Sequence, residues 1–321
     1  MTHHRRIATV VTILVTLVAA GCADDGQQEI SSDSEGGNGA TESREDWPDT
    51  FVLGVIPSEE SSELQERYQP LVDMLESELG LAIELFEATD YAGIIEAMIS
   101  GNVDLAQFGP FSYVIAKSNG ANIDAVASTV EDPEEEPGYH SFGIVPPGSD
   151  IHSIEDFAGK TVCFVDPSST SGFLFPSAGL LDAGIDPEGD IQSVFAGGHD
   201  VSALSVSKGD CEAGFADDTR VGQQLDTEPG SVEVVWESDL IPGSPLAVRL
   251  DLPESLVANV RRIVLEEANV DAMEAAGRCE AGDCIIQRED TWGYVAVDDA
   301  FYDPVRAVCE ATRAAACEGE D

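Results

Sequence analysis

Asp166-Pro-Ser-Ser-Thr-Ser-Gly-Phe-Leu-Phe-Pro176 follows directly on the apolar run Thr161–Val165. A short apolar run of this kind predicts a buried strand, and Gly172–Leu181 after it predicts a helix. Ser169, Thr170 and Ser171 then stand at the join. The first N–H groups of a helix have no intrahelical acceptor and its dipole is positive there, so the join is a ready anion site. Taken alone, the three hydroxyls are better explained as a helix cap.

The same unit recurs on both sides of this stretch. Ile191–Phe195 predicts a strand that ends at Gly197-Gly198-His199, with a helix behind it. Cys211–Ala216 predicts another, ending at Asp217-Asp218-Thr219. Upstream, Phe51–Ile56, Leu81–Phe86 and Val103–Gln107 predict three strands. Between the first two, Leu64, Tyr68, Leu71, Leu75 and Leu79 recur at helical spacing and stop at Gly80. Thr89 and Asp90 offer caps to a helix carrying Tyr91, Ile94, Ile95 and Met98, and Pro110 opens the next one. Val232–Trp236 and Leu246–Arg249 run back, and helices near Pro253–Glu267 and Asp299–Ala315 finish the chain. Strands alternating with helices predict two α/β units, each a mostly parallel sheet flanked by helices. Two extended segments, near Phe142–Val145 and Leu246–Arg249, are expected to serve as the hinges between them.

In open sheets of this kind ligands sit beyond the carboxyl ends of the strands. That rule selects Tyr91 and Phe108 from the first unit and Ser169, Thr170, Ser171, His199, Asp217 and Asp218 from the second. Each has a plainer explanation: core packing for Tyr91 and Phe108, helix capping for His199, Asp217 and Asp218. Convergence from two units favours a binding cleft.

Of 321 residues, 62 are Asp or Glu and 15 Lys or Arg, a net charge of −47 that becomes −49 once Arg5 and Arg6 leave with the leader. Nucleic-acid binding is excluded, because affinity for a phosphate backbone needs a basic surface. The acidic residues are spread along the chain, which fits a solvated surface adapted to high salt. Such a molecule repels anions at long range, so anion affinity must be built locally from neutral donors and helix dipoles.

His3, His4, Arg5 and Arg6 precede the apolar stretch Ile7–Ala20, which is short for a membrane span and reads as a secretory leader. It ends Ala19-Ala20-Gly21-Cys22, similar to a bacterial lipobox in which Cys22 is lipidated; the alternative is ordinary cleavage with Cys22 as a spare thiol. Ala23–Thr50 is acidic and rich in Gly and Ser, a composition that buries no core and reads as a tether. Six cysteines remain, an even number in an oxidising compartment. Cys279 and Cys284, and Cys309 and Cys317, are close enough in sequence to close local loops. Cys163 and Cys211 are left for each other, or as two buried thiols. No CxxC pair occurs, and only His140, His152 and His199 follow the leader, so neither a metal site nor a cofactor is expected.

Asp166–Pro176 resembles the D-P-x-S-T-S-G-x-x-x-P signature of the phosphonate/phosphate/phosphite substrate-binding proteins of ABC transporters. Gly197-Gly-His199 with Ala203-Leu204, Thr89-Asp-Tyr91, Val103–Phe111 and Leu240-Ile-Pro-Gly-Ser-Pro245 resemble further elements of that family, from about Phe51 to Arg306. The resemblance implies a two-lobed type II periplasmic-binding-protein fold with a hinge of two crossings. It also implies that Ser169, Thr170, Ser171 and His199 hold the oxyanion, that Tyr91 completes the site from the other lobe, and that Phe108 lines it. The expected organisation is a lipoprotein signal peptide at 1–21, a tether at 22–50, one lobe from 51–142 with 248–321, and the other from 143–247. Such a protein is a monomer outside the cell membrane, lipid-anchored through Cys22, which closes on a small phosphorus oxyanion and delivers it to a permease with its ATPase. Where members of the family carry acidic residues for an aminoalkyl ligand, this chain has Thr219 and Ser244. The resemblance therefore implies phosphate, phosphite or methylphosphonate rather than aminoethylphosphonate. A ligand-sensing protein of the same fold is an alternative. A serine hydrolase built on Ser169 or Ser171, His199 and Asp217 is disfavoured, since no G-x-S-x-G elbow surrounds the serine, and no enzyme activity is expected.

Overall fold

The computed structural model describes residues 44–58, 61–288, 290–314 and 317; Cys22 and most of the expected tether lie outside them. Its chain begins with β1 (Thr50–Val55), α1 (Ser61–Leu79), β2 (Ala82–Glu87), α2 (Tyr91–Ile99), β3 (Leu105–Gln107), α3 (Pro110–Ser118) and β4 (Ile123–Val130). Pro70 lies inside α1. An interior proline costs a helix about 3 kcal/mol, but Leu64, Tyr68, Leu71, Leu75 and Leu79 are all buried, and each is worth roughly 1.5–3 kcal/mol. Burial of the stripe outweighs the lost backbone bond.

Next come two crossing strands and the second unit. β5 (Gly138–Tyr139) leads into β6 (Ser141–Val145) and β7 (Thr161–Phe164), then a π-helical turn (Thr170–Leu174) that runs into α4 (Phe175–Asp182). β8 (Gln192–Phe195), α5 (His199–Lys208), β9 (Ala213–Asp217), α6 (Asp218–Thr227) and β10 (Glu233–Glu237) complete it. β11 (Ile241–Pro242) returns the chain to β12 (Pro245–Arg249), α7 (Glu254–Arg262), α8 (Val270–Ala275), β13 (Gly293–Ala296) and α9 (Asp303–Thr312).

The strands form a six-stranded sheet, β13-β4-β12-β3-β1-β2, and a five-stranded sheet, β10-β6-β9-β7-β8. β1 is parallel to β2 and β3, and β7 to β8 and β9. The strands that receive the chain after each crossing, β6 and β12, run antiparallel to their neighbours. Both sheets are covered on two faces. Phe51 and Leu53 pack on one side of the first, with Ile94, Phe111 and Ala106 on the other. In β7, Val162 and Phe164 face one cluster while Cys163 faces another, the two-residue alternation of a pleated strand.

Three expectations need correction. The hinge segments expected at Phe142–Val145 and Leu246–Arg249 are interior strands, β6 and β12, each hydrogen-bonded on both edges. The chain changes sheet instead at β5 and β11, which pair only with each other. Phe142 accordingly belongs with the second sheet, and Pro245, Leu246 and Ala247 belong with the first, a few residues from the boundaries at 142/143 and 247/248. Finally, residues 44–50 are docked rather than part of a free tether. The Trp47 indole donates to Ser255 Oγ at 2.9 Å and packs on the core beneath α1 and α7, and Thr50 opens β1.

Three disulfides are present, Cys163–Cys211, Cys279–Cys284 and Cys309–Cys317. The first ties β7 to the start of β9 beneath α5.

Candidate functional site

Five helices begin at the carboxyl ends of parallel strands and aim at one place. They are α2 after β2, α3 after β3, the π turn and α4 after β7, α5 after β8, and α6 after β9. Their N-termini concentrate positive potential inside a molecule of net charge −47. Between them lies a cavity of about 140 Å³, below the roughly 300–1,000 Å³ of pockets for drug-sized ligands. It suits an ion of a few heavy atoms.

The Ser169–Ser171 turn forms one wall. A Cβ on Gly172 would sit 2.3 Å from the Val165 side chain, so only glycine lets the turn fold back onto the end of β7. Ser169 caps the turn, its Oγ accepting the Gly172 N–H at 3.0 Å. Thr170 Oγ1 accepts the Phe111 N–H at 2.8 Å from the first turn of α3, in the other lobe. A lone pair of each oxygen is committed to a backbone donor, and each hydroxyl also shares a hydrogen bond with a phenol, Ser169 with Tyr91 and Thr170 with Tyr139. Ser171 is hydrogen-bonded by Tyr139, which β5 places in the crossing. All three hydroxyl residues are buried.

His199 supplies the opposite wall. Its Nδ1 accepts the Asp217 N–H at 3.0 Å, so the proton of the neutral ring sits on Nε2. That atom lies 3.5 Å from both Tyr91 Oη and Ser169 Oγ. Burial lowers the His199 pKa from the ordinary imidazole value, against the pull of Asp217 and Asp200, and keeps the ring a neutral donor. Burial raises the phenols of Tyr91 and Tyr139, so both keep the proton they can donate. The wall is one of neutral donors, as required where the surface charge repels an anion.

The lobes touch around this site. The His199 N–H donates to Ser58 O at 3.1 Å, and the Tyr91 N–H donates to the Asp166 carboxylate, whose pKa burial raises. With the Phe111–Thr170 bond these make three contacts across the cleft, each between a helix start and a loop of the other lobe.

Tyr91, Phe108, Ser169, Thr170, Ser171, His199, Asp217 and Ser244 all line the cavity. Asp218 does not. Its Oδ2 accepts the His140 N–H at 3.0 Å and its Oδ1 the Thr219 N–H at 2.9 Å, so the backbone around it consumes the carboxylate. Ser244 contributes position more than a bond, since its carbonyl accepts from Gln107 Nε2 at 3.0 Å. Ser58 and Thr219, which follow strand ends in the sequence, line it as well, and so do residues that strand-end reasoning does not select: Gln107, Tyr139, Arg67, Arg220, Gln287 and Arg288. Gln107 stands at the end of β3, so that signal was available. Arg67 on α1 and Arg288 near the Cys279–Cys284 loop reach the cavity only through the fold. Neutral donors are the expectation, with Arg220 the one cation within the quoted motifs; the structure brings Arg67 and Arg288 to the lining beside it.

The sequence matches the family described as ABC transporter, phosphonate, periplasmic substrate-binding protein over residues 53–302. The chain belongs to this phosphonate-binding family. A relative in Mycolicibacterium smegmatis, named as the phosphate-import protein PhnD, is 43% identical over 98% of both chains. The phosphonates-binding periplasmic protein of Escherichia coli is 32% identical over 63% of this chain and 62% of its own length. Among solved structures, a binding protein component of an ABC phosphonate transporter from Pseudomonas aeruginosa has a TM-score of 0.71 at 26% identity, covering 82% of this chain and 86% of that one. The two sheets joined by two crossings are the type II fold of this family. As a phosphonate-family binding protein the chain is the extracytoplasmic substrate-binding part of an ABC importer, working with a permease and an ATPase.

Proposed function

We propose that the cleft takes a small phosphorus oxyanion, phosphate, phosphite or methylphosphonate, in preference to aminoethylphosphonate. The observation that carries this is the lining itself. Among its described residues Asp217 is the sole carboxylate, while Thr219, Ser244 and three arginines complete it. An ammonium tail entering this space meets guanidinium groups, and the single carboxylate, Asp217, stands against His199, so the tail is left unpaired, and burying an unpaired charge is costly. Ser169, Thr170, Ser171, Tyr91, Tyr139 and His199 direct donors at the oxyanion. The name of the M. smegmatis relative, a phosphate-import protein, supports the same choice.

Ligand bridging the lobes draws them together, with bending confined to β5 and β11, the lone crossings between the sheets among the described residues. The closed form is what a permease would recognise. On this reading the chain is a monomer, anchored to the outer face of the membrane through lipidated Cys22, and performs no catalysis. Calorimetric titration with the four ligands tests the preference. Aminoethylphosphonate is expected to bind weakest; if it binds tightest by tenfold, about 1.4 kcal/mol, the proposal is wrong.

A further inference from the structure

A buried oxyanion that keeps a P–OH needs an acceptor as well as donors. Almost everything facing the cavity donates. Asp217 is the exception, and its two oxygens are placed differently. Oδ1 accepts the Arg220 N–H at 2.9 Å and caps α6. Oδ2 lies 3.3 Å from His199 Nδ1. That nitrogen already accepts the Asp217 N–H, so it has no proton to give, and Oδ2 has no hydrogen-bond donor among the described residues. It is partly exposed, in a residue that lines the cavity.

Oδ2 lies beside the Nδ1 edge of His199, in the lining of the same cavity. His199 presents its other nitrogen to Ser169 and Tyr91, and Asp217 acts electrostatically on both Tyr91 and Tyr139. We propose that Asp217 is a specificity-determining residue whose Oδ2 accepts the P–OH hydrogen of the bound ligand. This deepens the oxyanion reading and rests on it. A carboxylate aimed at the ligand accepts a protonated oxygen and repels a bare one. Phosphate always retains one such proton near neutral pH; sulfate has none. The cleft therefore selects phosphate against sulfate, and binds methylphosphonate in its singly protonated form.

The groups that face Asp217 are His199 from α5, Arg220 and Asp218 from α6, and the Tyr91 and Tyr139 phenols from α2 and β5. Burial lowers the His199 pKa and raises the phenols. Between about pH 7 and about pH 9 the ligand is thus what titrates.

The test is calorimetric titration of the full wild-type chain with phosphate, sulfate and methylphosphonate across that range. Phosphate should bind at least tenfold tighter than sulfate at every pH. Methylphosphonate should weaken about tenfold per pH unit above its second ionisation, while phosphate holds steady. Asp217→Asn keeps a capping oxygen for Arg220 but turns an amide donor to the cavity. It should lose phosphate affinity at least tenfold and bring sulfate level with phosphate. Sulfate within threefold of phosphate in the wild type, methylphosphonate affinity that holds or rises with pH, or an unchanged phosphate-to-sulfate ratio in a folded Asp217→Asn would each overturn the proposal. The wild-type titrations decide it whether or not the variant folds. Binding of no phosphorus oxyanion by the wild type overturns the underlying reading itself, a distinguishable failure.

Discussion

Thr170→Val tests the proposed coupling of ligand to closure. The substitution keeps the branched shape and removes one hydroxyl, whose oxygen accepts the Phe111 N–H at 2.8 Å from the other lobe; on the proposed reading its proton turns to the bound anion. Thr170 is 2% exposed, so water has no room to replace the hydroxyl once the lobes meet. Leaving the Phe111 N–H unpaired costs the closed form about 1–3 kcal/mol, and losing a hydrogen bond to a charged ligand costs about 1.5–3 kcal/mol more. Together these weaken binding about 10²- to 10⁴-fold. When the cleft is open the Phe111 N–H is hydrated, so the ligand-free melting temperature should move little. Phosphate titration gives the affinity, and small-angle scattering with and without phosphate reports whether the lobes still close. Binding within threefold of wild type would refute the claim that this hydroxyl serves both lobe and ligand.

Two further outcomes concern stability. Cys163→Ala with Cys211→Ala opens a crosslink spanning 48 residues, worth about 4 kcal/mol on the chain-entropy account; thermal melting should fall well below wild type, and an unchanged melting temperature would contradict that account here. With a net charge of −47, the fold should be stabilised as NaCl rises from about 10 mM to about 1 M, where the Debye length shrinks from about 30 Å to about 3 Å; equal melting temperatures at the two concentrations would show that carboxylate repulsion is not a significant load on the folded state.

Much of the architecture follows from local pattern. The stripe from Leu64 to Leu79, the cap at Asp90 and the proline at the start of α3 are readable because a helix needs a repeating apolar face and a satisfied N-terminus, and both are properties of neighbouring residues. The Ser169–Ser171 turn is legible for the same reason: hydroxyls and glycine between an apolar run and a helix have few other uses. Pairing between distant segments is a different matter. β4 carries Ala125, Ala127 and Ser128, small residues with weak strand preference, and is a strand because β12 and β13 flank it. Extended segments look alike in sequence, so whether one is a hinge or an interior strand depends on partners about 70 to 100 residues away, as β5 with β11 and β6 with β9 illustrate. Asp217 and Asp218 are neighbours of identical chemistry, yet the His140 N–H, brought in from β6's threshold, claims Asp218, while Asp217 lies against the His199 ring and lines the cavity. Arg67 and Arg288, 221 positions apart in the chain, reach one cavity only after both sheets have formed. Local sequence decides which elements exist and which residues end them; the tertiary fold decides which of those residues share a space, because that depends on distances between segments that no local pattern encodes.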